Sequence, residues 1–236
     1  MDTFSAEFFV SVIGFAIFLG LSVFTLRRVI FTVSVILLHR PRKGMHQRSS
    51  PNLLSVLVCL PTRNEANTIS PLLSALAKLE SSPCALTVAL LDDASTDETQ
   101  SIFNEFAKKR HNWLSLQGTQ PVGKAALLNK AVESLSTHDI YLVYDADDRP
   151  LPDALRQLIS PFSDPSVGAV SGRRLITRQN PGWASRYVQM EANVHQTITQ
   201  QGKDQLNLFP ALLGSNCAYT RAALAAVGGF VPGALL

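Results

Sequence analysis

The segments LLDDASTD (residues 90–97) and YLVYDADD (residues 141–148) decide the fold of this chain. In each of them an acidic cluster directly follows an apolar run, and such runs are typical of strands buried on both faces of a parallel sheet. Carboxylates at the carboxyl ends of these strands face the crevice where open α/β sheets bind ligands. A D-x-D spacing suits a hard divalent cation, which prefers oxygen ligands. The two clusters therefore predict a metal-binding crevice at one edge of a sheet.

Length and composition exclude several classes of protein. The chain has 236 residues and a net charge of +3, which allows one sizeable α/β domain and a short extra segment. It lacks the basic and aromatic stripe that grips nucleic acid, so we expect no nucleic-acid partner. Cys59, Cys84 and Cys217 are scattered, which indicates reduced thiols rather than a disulfide frame or a zinc site.

The amino terminus is predicted to anchor the chain in a membrane. Residues 8–26 carry no charge and are long enough as a helix to span a hydrocarbon core of about 30 Å. A second apolar run, residues 29–38, follows Arg27 and Arg28. It is too short to cross again, so we expect it at the interface or as a continuation of the helix. Residues 1–40 are therefore interpreted as a membrane anchor with a basic flank.

A cleaved signal peptide is the alternative interpretation of the amino terminus. The acidic residues Asp2 and Glu7 and the absence of a small-x-small cleavage site favour an anchor. The basic residues all follow the span, so the positive-inside rule predicts that everything after the span lies in the cytoplasm.

After a polar linker at residues 41–52, residues 53–236 are predicted to form one α/β domain. Strands are expected at 55–60, 86–91, 113–116, 140–144, 167–172 and 213–219. Helices are expected at 67–79, 95–109, 123–135, 153–159, 183–201 and 221–227, with Ser95 and Glu98 as a capping box for the second. This alternation predicts a mainly parallel sheet with helices on both faces.

Five motifs along the predicted domain are candidates for a functional site. Pro61, Thr62, Asn64 and Glu65 lie in a loop where backbone groups can hold a base or ribose, although an ordinary strand-to-helix turn also explains them. The adjacent carboxylates Asp92 and Asp93 repel each other unless something binds them.

The segment GTQPVGKA (residues 118–125) matches a P-loop except that Ala125 replaces the magnesium-binding hydroxyl, so a P-loop ATPase is a distant alternative. Lys124 begins a helix, where an anion is favoured, and is a candidate partner for a diphosphate.

Asp145 and Asp147 form the strongest single motif. Strand alternation predicts that both carboxylates face the same side and one metal ion. A polar turn that leads into Pro150 and Pro152 is the alternative. Downstream, Gly214, Ser215 and Asn216 precede a predicted helix that ends at two glycines; an ordinary strand-turn-helix also accounts for that pattern.

Taken in order, these motifs resemble the family 2 glycosyltransferases, nucleotide-sugar enzymes of the GT-A fold. The resemblance covers about residues 53–231 and rests on five motifs: PTRNE (61–65), DDASTD (92–97), the helix start GKAALLN (123–129), DAD (145–147) and GSN with GGF (214–216 and 228–230). It implies that Asp93 contacts uracil and that Lys124 lies near the diphosphate. It also implies that Asp145 and Asp147 hold Mg²⁺ or Mn²⁺ and that Gly214, Ser215 and Asn216 lie towards the acceptor.

The resemblance implies inverting transfer of a sugar from a UDP-sugar to a saccharide or lipid-linked hydroxyl. The carboxylate base of the family is expected soon after GGF, but no Asp or Glu follows Asp204, so we expect the base beyond Leu236. We expect this chain to be a fragment of a longer enzyme rather than a natural truncation. The alternative function is a catalytically inactive nucleotide-binding or partner-binding protein.

Overall fold

The computed structural model describes residues 3–38, 54–79, 84–175, 182–212 and 214–231. The chain forms two compact units. The first comprises Met1–Pro41 and Arg174–Ala211, and the second comprises Arg42–Arg173 and Leu212–Leu236. The predicted linker at residues 41–52 lies outside the described residues.

The second unit is built on a six-stranded sheet in the order β3-β2-β1-β4-β6-β5. Its strands are β1 (Leu54–Thr62), β2 (Cys84–Asp92), β3 (Trp113–Gln117), β4 (Ile140–Val143), β5 (Ala169–Ser171) and β6 (Cys217–Thr220). Strands β1 to β4 are parallel, whereas β6 runs antiparallel to β4 and β5 antiparallel to β6. The predicted mainly parallel α/β sheet is therefore confirmed, with two antiparallel contacts at one end.

Helices cover both faces of this sheet and follow the predicted order. They are α2 (Ile69–Leu76), α3 (Thr99–Ala107), α4 (Lys124–Ser134), α5 (Ala154–Ile159) with a 3-10 turn (Ser160–Ser163), and α8 (Arg221–Val227). Helices α2, α3 and α5 contribute to the core on one face, and α4 and α8 to the core on the other. Each fully buried aliphatic or aromatic side chain contributes roughly 1.5–3 kcal/mol to this packing.

Strand β1 continues through Pro61 to Thr62, so its predicted end at Leu60 was wrong. Pro61 pairs in register with Leu91, and Thr62 pairs with Asp92. On its other side β1 pairs with β4 only as far as Cys59. Because no β4 residue pairs with Pro61, its missing N–H costs no ladder hydrogen bond on that side.

The loops after β1 and β2 are joined by hydrogen bonds between their side chains and backbones. The Asn64 N–H donates to the Ser95 hydroxyl at 2.9 Å, and the Thr96 N–H donates to the Asn64 side-chain oxygen at 2.8 Å. Asn64 and Ala94 adopt left-handed backbone conformations, with φ of 55° and 58°. The predicted capping box was wrong, because α3 begins at Thr99 and Ser95 serves the neighbouring loop instead.

The first unit contains α1 (Thr3–Leu37), α6 (Trp183–Val194), a π-helical turn (His195–Gln200) and α7 (Gln201–Gln205). Among the described residues, α1 is the one helix long and apolar enough to cross a membrane. The second apolar run continues this helix, which was one of the two expectations. The helix predicted at 183–201 is interrupted by the π-helical turn.

Two contacts hold α1 to the other helices of the first unit. The Arg28 guanidinium donates to both carboxylate oxygens of Glu191 at 3.1 Å. Phe31 and Ser34 are buried, and a Cβ on Gly202 would lie 2.6 Å from the Cβ of Phe31. The absence of a side chain at Gly202 therefore allows the two backbones to approach closely.

We expect the stability of the second unit to fall in acid partly through Asp139. Its carboxylate accepts hydrogen bonds from the Ser55 N–H at 2.9 Å and the Ser55 hydroxyl at 2.8 Å. These bonds, the backbone bond above all, together with the positive charge of Arg221, lower the pKa of Asp139 despite partial burial. A lowered folded pKa stabilises the fold above the unfolded value of about 3.9, and that contribution disappears as the pH falls through the folded pKa.

Asp139→Asn should therefore lower the melting temperature in detergent near neutral pH, and its difference from the wild type should shrink in acid below about pH 4. Glu133→Gln, an exposed change on α4, is the matched control. A difference that stays constant through the acid range would contradict the role of the Asp139 carboxylate.

Ala94→Gly should stabilise the second unit, because an L-residue in the left-handed region costs about 1–2 kcal/mol and glycine avoids that cost. Part of the gain is lost to the greater freedom of glycine in the unfolded chain, so we expect a net increase of about 0.5–1 kcal/mol in the free energy of unfolding. Ala75→Gly, within α2, should destabilise by a similar amount. Denaturant titration of both variants measures this, and equal destabilisation by the two would refute the strain at Ala94.

Candidate active site

The carboxyl ends of β1, β2 and β4 bring the two acidic clusters to the same edge of the sheet. Thr62 pairs in register with Asp92, and β4 is aligned with β1 through Cys59 and Val143. Asp92 and Asp93 are buried, whereas Asp147 is exposed. The predicted convergence of strand-end carboxylates at one edge is therefore present in the structure.

Asp93 joins the end of β2 to the start of α4. One carboxylate oxygen accepts from the Val122 N–H at 2.7 Å, and the other accepts from the Gly123 N–H at 3.0 Å. The Asp93 N–H donates to the Thr62 carbonyl at 2.8 Å. These two backbone N–H groups stabilise the Asp93 carboxylate next to the carboxylate of Asp92. Asp93 positions the loop that leads into Lys124.

Three buried polar atoms on the other face of the same edge have no hydrogen-bond partner among the described residues. They are Oδ1 of Asp92, Oγ1 of Thr62 and the phenol oxygen of Tyr144. Burial, with a further contribution from the Asp148 carboxylate, raises the pKa of Tyr144, which keeps the phenol neutral. A buried polar group without a partner costs about 1–3 kcal/mol, so these three atoms lower the stability of this edge of the sheet.

Lys124 and Asp145 form an ion pair directly after the Asp93 contacts. The Lys124 ammonium lies 2.5 Å from Oδ1 of Asp145, and the two side chains remain 29% and 39% exposed. Lys124 is the first residue of α4, where the helix dipole disfavours a cation and favours an anion. The pair therefore places a cation and a carboxylate together at a helix end that attracts negative charge.

The segment from Asp145 to Asp148 is a turn rather than an extension of β4. The strand ends at Val143, and the Asp148 N–H donates to the Asp145 carbonyl at 2.9 Å. The expectation that strand alternation aligns Asp145 with Asp147 was therefore wrong. Oδ2 of Asp148 instead accepts from the Asp145 N–H at 2.8 Å and from the Ser215 hydroxyl at 2.7 Å.

Arg149, which directly follows Asp148, contacts backbone carbonyl groups near the acidic turn. The Arg149 guanidinium donates to the backbone carbonyls of Thr68, Ala146 and Asp148. Through its bonds to Asp145 and Ser215, Asp148 positions the acidic turn, and this role was missed from sequence even though the residue belongs to the same acidic cluster.

Two contacts place the downstream block in the second unit. Ser215 is buried and reaches the acidic turn through Asp148, and the Asn216 carbonyl accepts from the Gly172 N–H at 2.7 Å. The side chain of Asn129, on α4, donates to the Phe230 carbonyl and accepts from its N–H, both at 2.7 Å. Asn129 thereby ties the Gly-Gly-Phe turn to the helix that begins at Lys124.

Six of the predicted site residues fall into two groups. Asp93, Lys124 and Asp145 meet around the start of α4, and Thr62 contacts Asp93 through its backbone. Asn64 and Glu65 contribute to the joined loops, where the Glu65 carboxylate accepts from the Thr68 hydroxyl and its N–H donates to Thr99. The expected carboxylate base falls outside the described residues.

The residues that sequence reasoning missed are Asn129, Tyr144 and Asp148. Asn129 and Asp148 stood inside quoted motifs, but their roles depend on partners far away in sequence. Tyr144 was assigned only to a strand, and its buried hydroxyl becomes a signal only once the fold is known.

The acidic turn has a donor set that fits a divalent cation shared with a nucleotide. No group of three or more His, Cys, Asp or Glu residues able to hold a metal occurs among the described residues. Mg²⁺ is typically held by one or two carboxylates together with substrate phosphates and water, and that pattern needs no all-protein cage. Asp145, half-buried, and Asp147, exposed, fit this kind of site.

Comparison with known structures confirms the fold. The chain is similar to the mannosyltransferase PcManGT from Pyrobaculum calidifontis, solved in complex with GDP-Man and Mn²⁺, with a TM-score of 0.72 and 26% identity. The likeness covers 92% of this chain and 59% of that one. It also resembles S. aureus TarS residues 1–349, solved with UDP-GlcNAc, with a TM-score of 0.51 and 21% identity over 76% of this chain and 49% of that one.

Curated relatives match over most of this chain. It is 29% identical over 183 residues to "Probable glycosyltransferase YdaM" of Bacillus subtilis (strain 168), which covers 75% of this chain and 43% of the relative. It is 29% identical over 194 residues to "Beta-monoglucosyldiacylglycerol synthase" of Nostoc sp. (strain PCC 7120 / SAG 25.82 / UTEX 2576), covering 81% of this chain and 41% of the relative. The chain thus spans less than half the length of these relatives.

The family model for "Glycosyl transferase family 2" matches residues 57–228, a range that includes the P-loop-like segment and both acidic clusters. This match extends over well more than half of the chain. The chain belongs to glycosyl transferase family 2.

Proposed function

We propose that this chain is the donor-binding part of a membrane-anchored, inverting glycosyltransferase that uses a UDP-sugar and a divalent cation. The observation that carries the proposal is the set of contacts around the start of α4. Asp93 holds the loop before this helix, and Lys124 at its first position pairs with Asp145 of the acidic turn. The residues that we assign to the base, the diphosphate and the metal are Asp93, Lys124 and Asp145. Their contacts bring all three to the amino-terminal end of α4.

The diphosphate of the donor is assigned to Lys124 and the amino terminus of α4. Backbone N–H groups at a helix start attract anions, and the adjacent ammonium adds a positive charge. In the ligand-free protein this ammonium is compensated by Asp145 at 2.5 Å. A bound diphosphate would pair with the Lys124 ammonium in place of Asp145. The Asp145 carboxylate would then be free to bind a cation.

Asp145 and Asp147 are assigned to Mg²⁺ or Mn²⁺. When bound, the cation neutralises negative charge that develops on the departing nucleoside diphosphate. The turn that carries both aspartates is braced by Asp148, which accepts from the Asp145 N–H and from Ser215. This bracing fixes the backbone of the turn before the nucleotide binds, which lowers the entropy lost on binding.

The base of the nucleotide is assigned to Asp93 and the loop residues Pro61, Thr62, Asn64 and Glu65. Each oxygen of the Asp93 carboxylate accepts one backbone N–H and retains a further lone pair for a ligand. Since PcManGT was solved with GDP-Man, guanine is the alternative to uracil as the base of the nucleotide.

The acceptor is assigned to the side of Gly214, Ser215 and Asn216, and its class to saccharides or lipid-linked hydroxyls. The printed name of the Nostoc relative denotes synthesis of a glycolipid, which supports a lipid acceptor. The helix at Glu7–Leu37 supports a membrane anchor, and the basic residues after residue 26 favour a cytoplasmic catalytic domain. By sequence, the protein divides into an anchor at residues 1–40, a linker at 41–52 and a donor domain at 53–236. Within that last range, Arg174–Ala211 belongs to the compact unit of α1, so we assign the donor site to the rest of it.

The full chain in detergent should bind UDP more tightly with Mn²⁺ than without it. Isothermal titration calorimetry of UDP and GDP, each with and without Mn²⁺, measures this preference. Asp147→Asn should weaken the Mn²⁺ enhancement, because one metal ligand loses its charge. Asp164→Asn, an exposed change of the same kind, should leave it intact. UDP binding that is the same in Asp147→Asn and wild type would overturn the metal assignment, and tighter binding of GDP would overturn the choice of base.

Lys124→Gln should weaken UDP binding by roughly 10- to 100-fold, the equivalent of one charge-assisted hydrogen bond. Uridine lacks the diphosphate, so its affinity should change little. Competition titrations of both ligands on the wild type and the variant measure the two effects. Equal losses for UDP and uridine would show that Lys124 supports the fold of the site rather than the diphosphate.

A further inference from the structure

Helix α6 exposes apolar side chains that are not packed within the first unit. None of its twelve residues is buried, yet Trp183, Tyr187 and Met190 lie at helical spacing and are 83%, 55% and 53% exposed. A helix of twelve residues is only marginally stable in water without tertiary packing. We therefore expect its apolar stripe to be covered by lipid or by another protein surface.

The contacts of α1 show where α6 lies along that helix. Arg28 contacts Glu191, near the carboxyl end of α6, whereas Phe31 and Ser34 contact Gly202 in α7. Moving towards the carboxyl end of α1 therefore corresponds to moving forward along α6 and α7. The first two turns of α6, which precede Glu191, extend towards the amino-terminal, apolar part of α1.

The length of α1 indicates where the membrane surface crosses this unit. The candidate span Glu7–Leu37 has 31 residues, and a helix of this length exceeds a hydrocarbon core of about 30 Å by several turns. Arg27 and Arg28 are costly inside lipid, and the buried residues of α1, Phe31 and Ser34, both follow them. The portion before Arg27 therefore lies in the bilayer. After Arg28 the helix packs one face, at Phe31 and Ser34, against protein and keeps apolar side chains such as Ile36 exposed.

The composition of α6 matches the membrane interface rather than its centre. Trp and Tyr are enriched at the level of the lipid headgroups. Arg186 is exposed and lies within one turn of both Trp183 and Met190, in reach of a headgroup phosphate. This mixture of aromatic, aliphatic and basic residues is typical of helices that lie in the interface.

A further exposed aromatic residue lies in the segment that follows α7. The Ala211 N–H donates to the side chain of Gln200 at 2.9 Å, so the chain after α7 folds back beside the π-helical turn. Phe209, in this returning segment, is 94% exposed.

We propose that the stripe of Trp183, Tyr187 and Met190 inserts into the headgroup region of the bilayer beside α1. The Arg28–Glu191 pair then lies at the membrane surface and links the anchor to the interfacial helix. The occupant of the exposed stripe is lipid, because the adjoining helix is itself the candidate span. This inference rests on the proposed membrane anchor but on none of the donor chemistry.

Trp183 provides a native reporter, because the chain contains two tryptophans and the other, Trp113, is buried in the second unit. The full chain is placed in nanodiscs whose lipids carry bromine either near the headgroup or deep in the acyl chain. The difference in fluorescence between wild type and Trp183→Phe isolates the Trp183 emission. We expect a blue-shifted emission that is lost mainly with the shallow bromine label, whereas the Trp113 emission in Trp183→Phe persists.

Phe18→Trp in the Trp183→Phe background separates failure of the anchor from failure of the stripe. Residue 18 lies near the middle of the span, so its emission should be lost mainly with the deep label. Loss for residue 18 with no loss for Trp183 by either label overturns the interfacial helix and leaves the anchor standing. Blue-shifted Trp183 emission without bromine quenching assigns the stripe to a second protein surface and also overturns the proposal. Absence of quenching at residue 18 overturns the anchor itself, and with it this inference.

Discussion

The parallel pairing of β1 with β2 on one side and β4 on the other is the constraint on which the second unit depends. The central residues of all three strands are buried, so helices must cover both faces of the sheet. Parallel strands place their carboxyl ends at one edge, and every loop that carries a polar motif therefore emerges there. The direction of the strands therefore determines where the site lies, and the individual side chains determine its chemistry.

A small set of long-range contacts then converts this edge into a defined site. Asp93 fixes the loop before α4, Asn129 fixes the Gly-Gly-Phe turn to the same helix, and Asp148 fixes the acidic turn to Ser215. In each contact a side-chain carboxylate or amide binds a group that is distant in sequence. Local structure alone does not fix the position of that group. Helix α4 thereby acts as the common reference for Lys124, the acidic turn and the downstream block.

The exposure of side chains changes along helix α1 of the first unit. The early part of α1 exposes apolar side chains continuously, whereas Phe31 and Ser34 are buried against the α6–α7 region. Arg28 is the first partly buried residue among the described side chains of this helix, and the membrane-embedded part of the proposed anchor ends there because a charge inside hydrocarbon is costly.

Sequence alone determined the features that depend on local periodicity and local chemistry. The order of the strands and helices, the acidic clusters at strand ends, the end of α8 at Gly228 and the apolar amino-terminal helix all followed from residues close together in the chain. Family membership followed from the order of the motifs. Short-range patterns carry this information because side-chain direction repeats with the backbone geometry of a strand or helix.

Only the tertiary structure decided which polar groups meet. Four features were not visible in the sequence: the contact of Ser215 with the Asp145–Asp148 turn, the use of Ser95 by the neighbouring loop, the extension of β1 through Pro61, and the unpartnered atoms of Thr62, Asp92 and Tyr144. Each depends on a partner brought close by sheet register or helix packing, tens of residues away in the chain. Local propensity sets what a segment tends to form, whereas a hydrogen bond or burial depends on what the rest of the fold places beside it.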